Sequence, residues 1–168
     1  MIFLAIGSNL RSSKGDRFYN INSALSFLEQ NNIKIIRKSS FYETPSYPNK
    51  KNPKFINIVI GIESNLAPTN LASVIFLVEE KLERKRKKKN EPRTCDIDII
   101  DYNGKIIHFR NKNSNFTIPH KKLAFRNFVL YPLKEISPKW KHPKTGEIIT
   151  NIIHRLSKTE KMSILKVK

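Results

Sequence analysis

Phe55-Ile56-Asn57-Ile58-Val59-Ile60-Gly61-Ile62 is the stretch from which the architecture can be read. Successive side chains of a strand point to opposite faces. Ile56, Ile58, Ile60 and Ile62 therefore share one face, and Phe55, Asn57, Val59 and Gly61 the other. Asn57 is the odd residue. A lone strand asparagine is ordinarily a satisfied edge or turn residue, but beside Phe55 it could read a polar heterocycle through hydrogen bonds.

Working outward, Pro68 opens a second helix, where its missing N–H does no harm, and Leu71, Val74, Val78 and Leu82 form its buried stripe. Upstream, Thr44 to Pro53 holds three prolines and is a loop, and Ile33 to Tyr42 is a strand. Asp16 caps a first helix that runs through Gln30, with Phe18, Ile21, Leu25 and Leu28 at helical spacing. Met1 to Ile6 is an apolar first strand that ends in the turn Gly7-Ser8-Asn9-Leu10. Downstream, Thr94 to Tyr102 is a strand that meets the hairpin signal Asn103-Gly104. Lys105 to Phe109 is its return strand, Asn111 to Asn115 a polar loop, and Leu123 to Leu133 a helical segment. The order βαββαβ predicts an α+β, ferredoxin-like sandwich with an extra hairpin and C-terminal helical pieces. Its helices lie on one face of an antiparallel sheet, and the open face is free to carry a site. Residues 1–155 are expected to form a single domain, and 156–168 a basic, loosely fixed tail.

Composition narrows the function classes. The chain has 168 residues, 39% of them hydrophobic, enough for one domain with a real core. No apolar run is long enough to cross a membrane. The N-terminus lacks the basic start of a secretory signal. The single Cys95 excludes an intramolecular disulfide and fits a reducing cytoplasm. Lys and Arg number 32 against 14 Asp and Glu, a net charge of +18. That balance favours anionic partners such as nucleotides or phosphorylated metabolites. Lys, Asn and Ile are all heavily used, a bias that base composition alone can produce, so the charge counts little towards nucleic-acid binding. The chain also lacks the aromatic signature of RNA-reading sheets.

The chemistry concentrates in Pro92-Arg93-Thr94-Cys95-Asp96-Ile97-Asp98. Asp96 and Asp98 fall two apart on a strand, so they point the same way, with Cα atoms about 7 Å apart. Two such charges repel by about 2 kcal/mol at an effective dielectric of about 20. On a solvent-facing strand the pair would be decoration. Beside Ile97, Ile99 and Ile100 it calls for a counter-charge. Paired hard oxygens suit Mg²⁺, which takes one or two carboxylates together with substrate phosphates. Arg93 adds a phosphate partner. The six basic residues from Arg84 to Lys89, ordinarily a solvated face, could funnel phosphates to that metal.

Six motifs follow one another: Ala5-Ile6-Gly7-Ser8-Asn9-Leu10, Ser39-Ser40-Phe41-Tyr42-Glu43-Thr44-Pro45, Phe55-Ile56-Asn57, Pro92 to Asp98, Ile118-Pro119-His120, and Arg126-Asn127-Phe128-Val129-Leu130-Tyr131-Pro132-Leu133. In this order and spacing the chain closely resembles the 6-hydroxymethyl-7,8-dihydropterin pyrophosphokinases of folate biosynthesis, from Met1 to about Arg155. The resemblance implies a monomer that transfers the β,γ-diphosphate of ATP to the pterin hydroxymethyl group and leaves AMP. It implies that Asp96 and Asp98 hold two Mg²⁺ ions, that Arg93, His120 and Arg126 contact ATP, and that Arg84 is a mobile-loop arginine reaching phosphate in the transition state. Thr44, Pro45, Tyr47, Phe55, Asn57 and Phe128 match the pterin pocket, with Phe55 and Phe128 as its aromatic walls. Glu79 matches a carboxylate at the end of the second helix that borders the pterin. The chain departs from the pattern where a usual Trp-Gly pair is Asn90-Glu91, and where Arg11 stands for a usual glycine.

Overall fold

The computed structural model describes residues 1–85, 91–112 and 114–167. Strands β1 (Ile2–Ser8), β2 (Lys34–Lys38), β3 (Tyr42–Thr44), β4 (Phe55–Glu63), β5 (Asp96–Tyr102) and β8 (Leu165–Lys166) form one sheet. Its order is β5-β1-β4-β3-β8, with β2 also paired to β4, and every pairing is antiparallel. Helices α1 (Arg17–Gln30) and α2 (Pro68–Lys81) cover one face. Asp16 caps α1 as expected, its carboxylate accepting from Tyr19 N, and Pro68 stands in the first turn of α2. Between helices and sheet lie Ile2, Leu4 and Ile6 of β1, the four isoleucines of β4, and Ile97 and Ile99 of β5. Fully burying one such side chain contributes about 2 kcal/mol. The result is a ferredoxin-like α+β fold.

The second face is not open. Phe3, Ala5, Val59 and Ile100 on that side meet α3 (Asn127–Ile136), α4 (Ile149–His154) and Trp140 in a second core. The indole N–H of Trp140 donates to Asp101 (2.8 Å), whose other oxygen accepts from Gly104 N. Both faces of β1 and β4 are thereby covered, and only the end of the sheet near Ser8 and Asp96 is left for a site. The apolar spacing of residues 123–133 marks a helix, but not the layer on which it docks. The segment begins as a 3₁₀ turn (Leu123–Phe125) before α3, and α3 continues through Pro132 to Ile136.

Three further expectations change. The run from Ile33 to Tyr42 is two strands, because Ser39 interrupts the ladder. Its own N–H donates to Val59 O, while its hydroxyl accepts from Val59 N. Asn103 and Gly104 do turn the chain, both at positive φ, as a two-residue hairpin turn requires. The return strand, however, leaves the main sheet. It forms β6 (Ile107–Asn111), which pairs with β7 (Ser114–Ile118) in a separate two-stranded ribbon, so most of the expected polar loop is strand. Finally, the segment after Arg155 is not loose. Helix α5 (Lys158–Met162) carries a capping box from Ser157 and Glu160, and β8 pairs with β3.

Glu135 of α3 ties this C-terminal strand to the sheet. It accepts from Ser40 N and Oγ, Tyr42 Oη and Lys166 Nζ. Burial pushes its carboxyl up, but these donors outweigh it and hold the pKa below the usual glutamate range. A depressed carboxylate stabilises the fold fully above its unfolded pKa, about 4.3, and loses that contribution as pH falls through the folded value. The urea midpoint of Glu135→Gln should therefore lie below that of the wild type at pH 7, and the gap should close as pH falls below about 4.

Candidate active site

The register across the sheet assembles the site. Gly7 on β1 lies opposite Asn57 on β4 and Asp96 on β5, and Asn57 lies opposite Tyr42 on β3. Asp96, Gly7, Asn57 and Tyr42 thus form one row across four strands, on the α3 side of the sheet. One row outward, Phe55 faces Thr44. One row inward, Asp98 faces Ala5. Strands are spaced about 4.8 Å apart, so the Cα atoms of Asp96 and Asn57 lie about 10 Å from each other across Gly7. A Cβ at Gly7 would come within 3.0 Å of Asn57 Oδ1, so the missing side chain keeps that amide in place. Asn57 Nδ2 donates to Thr44 Oγ1 (3.0 Å).

Three arginines neutralise the carboxylates. Arg84 Nη1 lies 2.6 Å from Asp96 Oδ1, Arg93 Nη2 lies 2.5 Å from Asp96 Oδ2, and Arg126 Nη1 lies 2.6 Å from Asp98 Oδ2. Burial pushes the Asp96 carboxyl up, yet the two guanidinium groups hold it below the usual aspartate range. Two of the arginines also lie on the expected aromatic walls. The Arg93 guanidinium is 5.1 Å from the ring centre of Phe55, and that of Arg126 is 5.5 Å from Phe128. Each wall is therefore one member of a carboxylate–guanidinium–aromatic chain. Such stacking is worth about 0.5–2 kcal/mol.

Arg84 sits just past α2, largely buried, and its guanidinium bridges Glu79 and Asp96. Arg86 to Lys89 of the basic run, and Asn90 after it, lie outside the described residues. Glu79 is 1% exposed. It accepts from Arg84 and from Ile97 N (2.9 Å), which joins α2 to β5 between the two aspartates. His120 is half-buried after the cis Ile118–Pro119 peptide. Its Nδ1 accepts from Lys122 N, which leaves the proton of the neutral ring on Nε2. Burial lowers its pKa, and the nearby Asp98 only partly opposes this. Thr44 is buried and Pro45 half-buried, but Tyr47 is 81% exposed. Of the expected pocket residues, Tyr47 alone stands largely in solvent.

The arrangement fits a divalent cation. Two carboxylates project from alternate positions of one strand, the donor set that Mg²⁺ shares with phosphates. The buried Nε–H of Arg93 has no hydrogen-bond partner, a donor suited to a phosphate oxygen. Among the described residues no cluster of three or more acidic, His or Cys groups offers a closed metal cage.

The sequence matches, over residues 3–138, the family described as 7,8-dihydro-6-hydroxymethylpterin-pyrophosphokinase (HPPK). The chain belongs to this family. It is 38% identical over 152 residues to the folic acid synthesis protein FOL1 of Dictyostelium discoideum, covering 90% of this chain and 22% of that protein. It is 31% identical to the 2-amino-4-hydroxy-6-hydroxymethyldihydropteridine pyrophosphokinase of Haemophilus influenzae, covering 92% of each. HPPK-DHPS of Plasmodium falciparum has the same fold, with a TM-score of 0.72 at 16% identity over 92% of this chain and 44% of that chain. The HPPK chain here thus spans about a fifth of the FOL1 relative, but nearly the whole of the Haemophilus one.

The first motif contains Asn9 but gives its side chain no role, and Ser46 falls in none of the motifs. Asn9 Oδ1 accepts from Arg93 N (2.7 Å), and its Nδ2 donates to Pro53 O (3.0 Å) and Ser46 Oγ (3.1 Å). The available signal was a polar residue straight after an apolar strand, which reads equally well as an ordinary turn.

The buried Glu79 generates a prediction. Glu79→Ala removes the acceptor of Ile97 N and one anion of Arg84, and should lower unfolding free energy by about 3 kcal/mol. Glu79→Gln, which keeps an acceptor, should cost less. Urea denaturation of the three proteins checks the order.

Proposed function

We propose that this chain transfers the β,γ-diphosphate of ATP to 6-hydroxymethyl-7,8-dihydropterin, giving AMP and the pterin diphosphate, as a Mg²⁺-dependent step of folate biosynthesis. The observation that carries the reading is the row across the sheet end. It sets a paired-carboxylate, arginine-rich half about 10 Å from an amide-and-aromatic half. That span suits a substrate whose flat ring sits in one half and whose hydroxymethyl group reaches the other.

In this reading Asn57, fixed by Thr44, pairs with the polar edge of the pterin, while Phe55 and Phe128 stack on its faces. Thr44, Pro45, Tyr47 and Glu79 border the same pocket. A heterocycle with the wrong edge leaves the Asn57 amide unpaired, which is the source of discrimination. Arg93, His120 and Arg126 bind the triphosphate, and Arg84 meets charge that develops during transfer. Asp96 and Asp98 would hold two Mg²⁺ ions, which would supply charge neutralisation at the triphosphate. Diphosphoryl transfer asks the protein mainly for positioning and charge neutralisation, so no nucleophilic side chain is required. As the pterin hydroxyl oxygen bonds to the β-phosphorus, the bond from that phosphorus to the α,β-bridging oxygen breaks, the oxygen leaves with AMP, and the hydroxyl proton passes to solvent water. The reading takes the chain to act as a monomer in the cytoplasm, a reducing compartment that suits its single free cysteine.

Incubation with ATP, Mg²⁺ and the pterin should yield AMP only when all three are present. ADP as the product would overturn the reaction class. Asp96→Ala and Asp98→Ala should each lower the rate at least about 100-fold, with far-UV circular dichroism unchanged. Turnover at the wild-type rate in either variant would overturn the assignment of the carboxylates.

A further inference from the structure

Asn9 is 2% exposed at the end of β1, and its single amide ties together two parts of the site that are distant in sequence. Its acceptor oxygen takes the main-chain N–H of Arg93, 84 residues away, at 2.7 Å. Its donor nitrogen reaches Pro53 O, 44 residues away, at 3.0 Å and Ser46 Oγ, 37 residues away, at 3.1 Å. The Ser46 hydroxyl itself donates to Pro53 O. The backbone reinforces one side, since the N–H groups of Asn9 and Leu10 both donate to Arg93 O. Behind the turn, the buried Asn20 of α1 donates to Leu10 O at 2.9 Å, so the turn is anchored to the first helix.

A turn asparagine with no wider role is satisfied by its neighbours in sequence. Asn9 spends its side chain on Arg93 and on both ends of the 46–53 loop. Arg93 binds Asp96 and lies over Phe55. The loop runs from Thr44 and Pro45 to Phe55. A carboxamide is a neutral group that both accepts and donates, and each of those functions is used on a different half of the site.

We infer that Asn9 is a positioning residue for the transfer. It holds the arginine that faces the phosphates and the loop that frames the pterin in a fixed relation, so that hydroxyl and β-phosphorus meet at reactive distance. The inference rests on the diphosphate-transfer reading above. Misplacement by an ångström costs about 100-fold in rate, so a brace of this kind has a kinetic signature although it touches neither reacting atom.

Two variants separate the two halves. Asn9→Ala removes both functions. Asn9→Asp keeps an oxygen for Arg93 N–H but sets a second oxygen against Pro53 O. Asn9→Ala should raise KM for both ATP and pterin by about tenfold, the loss of one good hydrogen bond on each side, and lower kcat further. Asn9→Asp should raise the pterin KM alike but leave the ATP KM within about twofold. Hydrogen exchange of the free proteins provides a readout that needs no turnover. The amides of Ser46, Tyr47 and Asn49 to Asn52 should exchange faster in both variants, and the Arg93 amide faster only in Asn9→Ala. Identical shifts in the two variants, or no shift in either, would overturn the role of Asn9. Absence of AMP formation by the wild type would instead overturn the diphosphate-transfer reading, and the exchange pattern would still decide whether Asn9 braces both halves.

Discussion

Strands β1 and β4 run side by side with both faces covered, and this double burial governs what the rest of the chain can do. Every residue of β1 is buried, as are Ile56 to Ile62 of β4. Along most of their length neither strand can present a polar group without leaving it unsatisfied. Polarity enters only where the covering layers stop, at Gly7, Ser8, Asn9 and Asn57. The site therefore lies at the end of the sheet rather than on its face. Its polar groups are held by backbone that two cores have already fixed.

The same end of the sheet has to accommodate two carboxylates. Their repulsion is offset by Arg84, Arg93 and Arg126, each drawn from a different part of the chain: the end of α2, the approach to β5, and the approach to α3. Desolvated charge is tolerated only when paired, so the acidic pair recruits its own basic surroundings. The stacking of Arg93 and Arg126 on Phe55 and Phe128 places the anionic and aromatic halves of the site in direct contact. Changes in one half are thus felt by the other.

Elements that announce themselves locally were legible in the sequence. Period-two isoleucines gave β4 and a capping aspartate gave the start of α1. Pro68 opened α2, and Asp-x-Asp on a strand marked the charged half of the site. What was hidden depends on partners far away in sequence. Leu123 to Leu133 reads as helical, yet nothing in its spacing says that it covers the second face. Asn111 to Asn115 is polar enough to pass for a loop, yet Ser114 and Asn115 open a strand whose Phe116 stacks on Phe109 across the ribbon. The tail is basic, which suggests solvent, and is held by Glu135 and a two-residue pairing to β3. Arg84 opens a run of six basic residues, a context that suggests solvent, whereas two acids on neighbouring elements draw it inward. The bonds of Asn9 span 37 to 84 positions, beyond the reach of any periodicity.

Trp140 is the chain's one tryptophan, sealed into the second core with its N–H on Asp101. Intrinsic indole fluorescence therefore comes from a single emitter on the α3–α4 layer. Its wavelength will follow the undocking of that layer and its exposure to water. This chain offers a spectroscopically clean view of one half of its own unfolding.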